Sequence, residues 1–203
     1  MENNITNLIN LFNGVDHLHL FEEYHDTIQP IVNQYLHLKQ FAQNCPNFAA
    51  DPVFRREYCY FYGMSRYASQ EYQDLYFNTM RECFANPAII SLPVLLRDLR
   101  NTHTIRPRIE MSFVSKLMNF VDEVHYPIYD KGIREAFGFR IPLEQNAKMD
   151  YYPRMYQAII EAYSRLSNHP SISAFRTTFN CEGLSSFRIL DIIIISIVRN
   201  SVQ

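Results

Sequence analysis

The scarcity of glycine constrains the fold of this chain more than any other feature of its sequence. Only five of the 203 residues are glycine, so tight turns that need a positive φ have few places to occur. Apolar residues recur at helical spacing along most of the chain, and no stretch alternates apolar and polar residues long enough to predict a strand. No repeat or linker divides the sequence. We predict a single compact all-α domain over residues 1–203, with roughly eight to ten helices.

Two prolines affect the predicted helix boundaries. The region 16–43 has a helical pattern interrupted by Pro30, and we predict a kink there because proline lacks the N–H donor and clashes with the preceding turn. Residues 140–152 are predicted to form a loop, followed by a helix that starts at Pro153, since proline is well suited to the first turn of a helix.

Charge and cysteine content narrow the classes of protein. The net charge of −2 argues against a non-specific polycation but permits a local basic face. The four cysteines have neither zinc-ribbon nor redox spacing, and they are too few for a disulfide framework. The N-terminus lacks a signal-peptide pattern, and the longest aliphatic run, Ile192–Ile195, is too short to cross a bilayer. We expect a soluble, cytoplasmic protein with no membrane partner.

Metal and cofactor motifs are absent from the sequence. His17, His19 and His25 lie close together, but there is no H-E-x-x-H, no C-x-x-C and no carboxylate-rich loop. The sequence also lacks a G-x-S-x-G elbow, a Walker loop and a dinucleotide-binding glycine pattern. Phosphate-cradling loops need backbone amides that are free of Cβ atoms, and this chain has few glycines. We therefore predict no metal and no cofactor.

A cluster of arginines precedes a predicted helix at 109–121. Its members are Arg97, Arg100, Arg106 and Arg108. Arginines are common at helix C-termini and in solvated loops, which is one interpretation. The other is a basic patch that binds phosphates beside a functional site. The sequence leaves both open.

Asp191 stands on an apolar helical face in the last predicted helix. A buried carboxylate needs a partner or a proton. We predict a structural role, in which Asp191 accepts backbone N–H groups near the helix start or pairs with one arginine or tyrosine of another helix.

Lys116 lies at the border of the apolar face of helix 109–121, one turn from Phe113 and from Phe120. The predicted polar face consists of Ser112, Ser115 and Asn119. Packing of the lysine stem on aromatic rings would partly desolvate the amine and lower its pKa, as a nucleophilic lysine requires. Asp130 is predicted to cap the next helix, so that residues 109–138 form a helix pair with one lysine and one aspartate.

These two segments resemble a known family. Ser-Phe-Val-Ser-Lys-Leu-Met-Asn-Phe at 112–120, then Tyr-Pro-Ile-Tyr-Asp at 126–130 and a further helix, resemble the core signature of proteins with the 8-oxoguanine DNA glycosylase fold. That fold belongs to the helix-hairpin-helix DNA glycosylase superfamily. The Leu190-Asp191 pattern in the final helix is similar to the C-terminal helix of compact bacterial and phage members.

The resemblance implies a DNA glycosylase, with or without lyase activity, that excises a damaged purine in base-excision repair or defence. Lys116 would attack C1′ of a damaged nucleotide in double-stranded DNA and form a Schiff base, and Asp130 would stabilise the developing positive charge. The target base would have to leave the stack. Two alternatives stay open: an inactive DNA- or partner-binding protein on the same scaffold, and a helical interaction domain with no nucleic-acid role. Both DNA-linked hypotheses require Lys116 and Asp130 to face one open, basic cleft.

Overall fold

The computed structural model describes residues 1–64, 68–100 and 109–200, and every regular element in these residues is helical. The α-helices in chain order are α1 (Glu2–Asn13), α2 (His17–Glu23), α3 (His25–Asn44), α4 (Pro52–Phe61), α5 (Gln70–Ala85), α6 (Leu92–Asp98), α7 (Met111–Val121), α8 (Lys131–Phe137), α9 (Gln145–Leu166), α10 (Pro170–Phe179) and α11 (Ser186–Asn200). Short 3-10 turns lie at Phe48–Ala50 and Pro87–Ile89. The predicted all-α single domain is confirmed. None of the described helices combines the length and the apolar character needed to cross a membrane.

The helix boundaries around Pro30 differ from the prediction. The chain breaks at Tyr24, between α2 and α3, and Pro30 lies inside α3. Asp16 caps α2 by accepting the N–H groups of Leu18 and His19. α2 is thereby a separate short helix that packs against α10. Pro30 is the sixth residue of α3 and removes one hydrogen bond inside it. Buried neighbours such as Ile28 and Val32 hold the helix together across this position. The additional break explains why the described chain has more helices than expected.

The predicted loop at 140–152 is partly wrong. α9 begins at Gln145, and Pro153 lies within it instead of starting it. Tyr152, Met155 and Tyr156 are buried on the same helix around the proline. Their packing holds the helix together across the lost hydrogen bond, because tertiary contacts commonly override local propensity.

Buried tyrosines connect α4, α5 and α7. The Tyr58 and Tyr76 hydroxyls lie 2.9 Å apart, and the Tyr76 hydroxyl donates to the backbone carbonyl of Phe113 at 3.0 Å. Tyr58 therefore donates to Tyr76, and the chain of hydrogen bonds satisfies two hydroxyls that are removed from water. This network fixes α4 and α5 against α7, the helix that carries Lys116.

Candidate active site

A cleft of about 1210 Å³ opens beside α7 and contains both candidate catalytic residues. Its walls come from α3, the end of α4, α7, the start of α8 and α11. The Lys, Arg, Asp and Glu residues that line it are Arg56, Glu57, Lys116, Asp130, Arg188 and Arg199. Four of these are basic and two are acidic, so the cleft has the basic character that a nucleic-acid site requires. Residues from separate parts of the sequence meet here.

Lys116 extends from α7 into the cleft over two aromatic rings. Its Nζ lies 5.4 Å from the ring centroid of Phe113 and 5.7 Å from that of Tyr62, and it donates to the backbone carbonyl of Tyr62 at 3.2 Å. The predicted contact with Phe113 is confirmed. The ring of Phe120 has the Nζ of Lys39 above it, at 5.4 Å, and packing of the Lys116 stem on Phe120 stays a prediction.

Burial favours the neutral form of Lys116, whereas its two charged neighbours act on its pKa in opposite directions. Burial lowers the pKa of the amine below its ordinary value, and the nearby positive charge of Arg188 lowers it further, whereas Asp130 acts in the opposite direction. A lowered pKa increases the fraction of neutral amine near pH 7, which is the nucleophilic form. Lys116 therefore has the environment expected of a reactive lysine.

Asp130 caps α8, as predicted, and also lines the cleft. Its Oδ1 accepts the backbone N–H of Ile133 at 2.9 Å, and α8 ends at Gly138 with a left-handed φ of 68°. No direct ion pair joins Asp130 to Lys116 in the described part of the chain. Both side chains line the same cleft, and a carboxylate in such a position can stabilise positive charge that develops on a bound ligand.

The segment 126–129, which leads into Asp130, is fixed at its carbonyl groups. The Asn119 side-chain amide donates to the carbonyl of Tyr126 at 2.7 Å. The Tyr156 hydroxyl donates to the carbonyl of Pro127 at 2.6 Å. Asn119 was assigned to a polar helix face, but the structure buries it completely.

The same segment is fixed at its N–H groups. Ile128 donates to both carboxylate oxygens of Asp191, at 3.1 and 3.2 Å, and Tyr129 donates to Ser115 Oγ at 2.9 Å. Ser115 is also completely buried, which corrects its predicted exposure. Side chains of three helices therefore hold the backbone before Asp130, and such support sets the direction of a site residue.

Asp191 has the structural role that the sequence predicts. It is fully buried, and it accepts a hydrogen bond from the Tyr163 hydroxyl of α9 at 2.9 Å. Burial raises the pKa of Asp191 to about 8, although Arg188, Tyr163 and the N–H of Ile128 act to lower it. The carboxyl group is thus held in a site where its charged form is disfavoured.

Arg188 is a cleft residue that the sequence patterns did not identify. Only 4% of its side chain is exposed, and its guanidinium carbon lies 4.4 Å from the ring centroid of Tyr35. Its place in the sequence offers one signal, an arginine three residues before Asp191 in an apolar helix. The position of its guanidinium in the cleft depends on how α11 packs against α3.

The predicted arginine cluster is only partly within the described residues. Arg97 is exposed and pairs with Asp98, with Nε 2.8 Å from Oδ1, and Arg100 is also exposed. Neither of them lines the cleft. Arg106 and Arg108 lie outside the described residues. The exposed arginines on the cleft are Arg56 and Arg199 instead.

Neither a metal-ligand cluster nor a known relative adds to this picture of the cleft. Within residues 1–64, 68–100 and 109–200, no three or more His, Cys, Asp and Glu side chains are grouped so as to hold a metal ion. Comparison of the chain with protein-family models, with curated proteins and with solved structures gives no match.

Proposed function

We propose that this protein is a DNA glycosylase that excises a damaged base, with Lys116 as the nucleophile and Asp130 as its electrostatic partner. The observation that carries the proposal is the presence of both side chains in one cleft of about 1210 Å³ that is lined by four Lys and Arg residues and two Asp and Glu residues. This volume exceeds the roughly 300–1,000 Å³ of most small-molecule pockets. The cleft has room for one nucleotide displaced from a helix.

The chemistry begins with the neutral amine of Lys116. Its lone pair forms a bond to C1′ as the C1′–N bond to the base breaks, and the base leaves with that electron pair and takes up a proton. The new C1′–N centre loses a proton, and the C1′–O4′ bond then opens to give a protonated imine while O4′ gains a proton. Positive charge develops on the sugar during departure of the base, and the Asp130 carboxylate stabilises it.

The rim of the cleft supports contact with the DNA backbone. Arg56 and Arg199 are exposed there, and arginines in such positions bind phosphates without reading the sequence. Tyr60, which follows Arg56 by one helical turn, is 84% exposed at the same rim. An exposed aromatic ring provides a stacking surface for an unpaired base. The base itself enters the cleft only after it leaves the duplex. The biological role that follows is repair of, or defence acting on, cytoplasmic DNA.

Borohydride trapping on oligonucleotides with an abasic site or 8-oxoguanine tests the proposal. Wild type should give a covalent adduct and release the base, and Lys116→Gln should give neither. Lys131→Gln is the matched control, because Lys131 is 79% exposed and directly follows Asp130, so trapping should persist. If wild type forms no adduct and releases no base, or if the Lys116→Gln protein still forms the adduct, the proposal is wrong.

A non-catalytic DNA-binding protein is the second candidate. The observation in its favour is the hydrogen bond from Lys116 Nζ to the carbonyl of Tyr62, which gives the lysine a structural partner. This function predicts DNA binding that weakens steeply with salt and no release of any base.

A further inference from the structure

The cleft contains a buried charged side chain, Arg188, with one hydrogen-bond donor that has no partner among the described residues. The Nε of Arg188 is buried and has no hydrogen-bond partner among the described residues. The distance from Nη1 of Arg188 to Oδ2 of Asp191 is 3.9 Å, which is too long for a hydrogen bond. Buried donors without a partner are uncommon in folded proteins, and each one needs an explanation.

The hydroxyl of Tyr62 is a second buried group without a partner among the described residues. Tyr62 also lines the cleft, and its backbone carbonyl accepts the hydrogen bond from Lys116. The charge of Arg188 acts on the Tyr62 hydroxyl by lowering its pKa, against the larger effect of burial. Tyr62 therefore contacts Lys116, whose Nζ lies 5.7 Å from the centroid of its ring, and it lines the same cleft as Arg188.

The chemistry of these groups defines what they can bind. Guanidinium and ammonium groups only donate hydrogen bonds, and a tyrosine hydroxyl donates readily. Although burial by itself lowers the pKa of Arg188, the surrounding tyrosines and Asp191 raise it above its ordinary value, so the guanidinium stays charged. A ligand that pairs with the Arg188 guanidinium and the Tyr62 hydroxyl must present a hydrogen-bond acceptor. An amino group of a ligand at the same place is itself a donor, so it would form no hydrogen bond with these groups.

The basic residues of the cleft lie at two depths, which correspond to separate positions for the phosphate and the base of a nucleotide. Arg56 and Arg199 are exposed at the rim, where a DNA backbone passes. Arg188 is almost entirely buried and lies over the ring of Tyr35, which holds its plane. Phosphates are hydrated and stay at the surface, whereas the base is the part of a nucleotide that enters a pocket.

We propose that Arg188 and Tyr62 form a base-reading subsite that donates hydrogen bonds to a keto oxygen of the bound base and selects keto bases over amino bases. Hypoxanthine- and uracil-type bases fit the subsite, and adenine- and cytosine-type bases do not. This inference rests on the proposed function in taking the ligand to be a nucleobase. Both residues line the cleft and their two unpartnered atoms are buried, so the proposal requires side-chain rotations that bring these atoms to the ligand on binding.

Equilibrium binding of two mononucleotides tests the subsite. Inosine 5′-monophosphate and adenosine 5′-monophosphate differ in the keto or amino group at C6 and its adjacent N1. Isothermal titration calorimetry should show tighter binding of the inosine nucleotide by about tenfold or more, because an unmatched buried donor is costly. Equal affinities, or no binding of either nucleotide, would overturn the inference.

Variants assign the discrimination to the two residues. Arg188→Met should bring the affinity ratio close to one. Tyr62→Phe removes a single oxygen, so it keeps the packing and should reduce the ratio several-fold even if the arginine variant folds poorly. Arg56→Met is the matched control at the rim, where it should weaken both nucleotides equally and leave the ratio unchanged. An unchanged ratio in folded Arg188→Met and Tyr62→Phe proteins contradicts the proposal.

Ribose 5-phosphate distinguishes base reading from phosphate binding. Arg188→Met should leave the affinity for ribose 5-phosphate nearly unchanged. An equal loss of affinity for ribose 5-phosphate and inosine 5′-monophosphate would show that Arg188 binds the phosphate, and it would overturn the inference. Nucleotide binding needs no chemistry, so its outcome is separate from that of borohydride trapping. Discrimination without base release refutes the glycosylase proposal alone, and base release without discrimination refutes the base-reading subsite alone.

Discussion

The carboxylate of Asp191 accepts the backbone N–H of Ile128 at 3.1 and 3.2 Å, through Oδ1 and Oδ2 respectively. This contact joins α11 to the segment that carries Asp130 into the cleft. The same carboxylate accepts the Tyr163 hydroxyl, so one buried group connects α9, α11 and the candidate site. Its protonation state consequently affects the stability of the site as well as that of the core.

Asp191 should make the stability of the protein decrease with rising pH. Burial raises its pKa in the folded state to about 8, so the folded protein holds a proton that the unfolded chain releases near its ordinary pKa. Stabilisation is complete below about pH 4 and is lost as the pH rises toward 8. The free energy of unfolding of wild type relative to Asp191→Asn should fall over this range, by at most about 1.4 kcal/mol per pH unit. Urea denaturation between pH 5 and 9 measures this difference. A constant difference would show that Asp191 is ionised in the folded protein throughout.

Ser115→Ala should destabilise the protein by about 1–3 kcal/mol, because it leaves the buried N–H of Tyr129 without its acceptor. The measurement is urea unfolding at neutral pH, together with hydrogen exchange at the amide of residue 129. Ser164→Ala is the matched control, since this exposed hydroxyl bonds only to a carbonyl of its own helix, and its effect should be within about 0.5 kcal/mol. Equal effects of the two substitutions would mean that Ser115 does not hold the segment.

His17 should make the protein sensitive to mild acid. Burial lowers its pKa, and the charge of His169 lowers it further. Above its ordinary pKa of about 6.5 both the folded and the unfolded states are neutral at this residue, and as the pH falls below that value only the unfolded chain takes up the proton. The free energy of unfolding of wild type relative to His17→Phe, which keeps an aromatic ring beside Phe12, should therefore fall between pH 7.5 and pH 5.5.

The control for the acid experiment is His19→Gln. The His19 side chain is 71% exposed, so its replacement should leave the pH dependence as it is in wild type. A free-energy difference between wild type and His17→Phe that stays constant from pH 7.5 to pH 5.5 would exclude His17 as a source of acid sensitivity.

The parts of the site that the sequence predicted depend on local chain geometry. Asp130 as a cap follows from its place directly before a helix, and the packing of Lys116 on Phe113 follows from helical spacing. The burial of Asp191 follows from the wheel of a single helix. Each of these relationships lies within one or two neighbouring elements, where periodicity and capping rules apply.

The remaining features depend on how distant elements pack, and periodicity does not contain that information. Ser115 and Asn119 are polar, and the wheel placed them toward solvent, but the segment 126–129 covers them and uses their hydrogen bonds. Pro30 and Pro153 lie inside helices because surrounding contacts outweigh the one hydrogen bond that each removes. Arg188 reaches the cleft only because α3 and α11 meet there.

The reactivity of Lys116 should respond in opposite directions to its two charged neighbours. Asp130 raises the pKa of this amine and Arg188 lowers it. Asp130→Asn should therefore move the pH midpoint for amine reactivity down, and Arg188→Met should move it up. Reductive methylation with formaldehyde and cyanoborohydride, quantified at residue 116 by peptide mass spectrometry across pH 6 to 11, gives the midpoint without any DNA. Lys131→Gln serves as the reference with no shift, and a shift of both variants in the same direction would contradict the electrostatic account.

The salt dependence of DNA binding should identify the arginines that bind phosphate. Arg56 and Arg199 lie at the rim of the cleft, whereas Arg97 and Arg100 do not line it. Replacing the rim pair by glutamine should reduce the slope of log affinity against log salt by about 2, because each arginine that no longer neutralises a phosphate lowers the slope by about one. Replacing Arg97 and Arg100 by glutamine removes the same total charge and should change the slope much less. Fluorescence anisotropy with a short duplex between 50 and 300 mM salt compares the two double variants. A larger change for the second pair would place the DNA along the predicted arginine cluster and away from the cleft that holds Lys116 and Asp130.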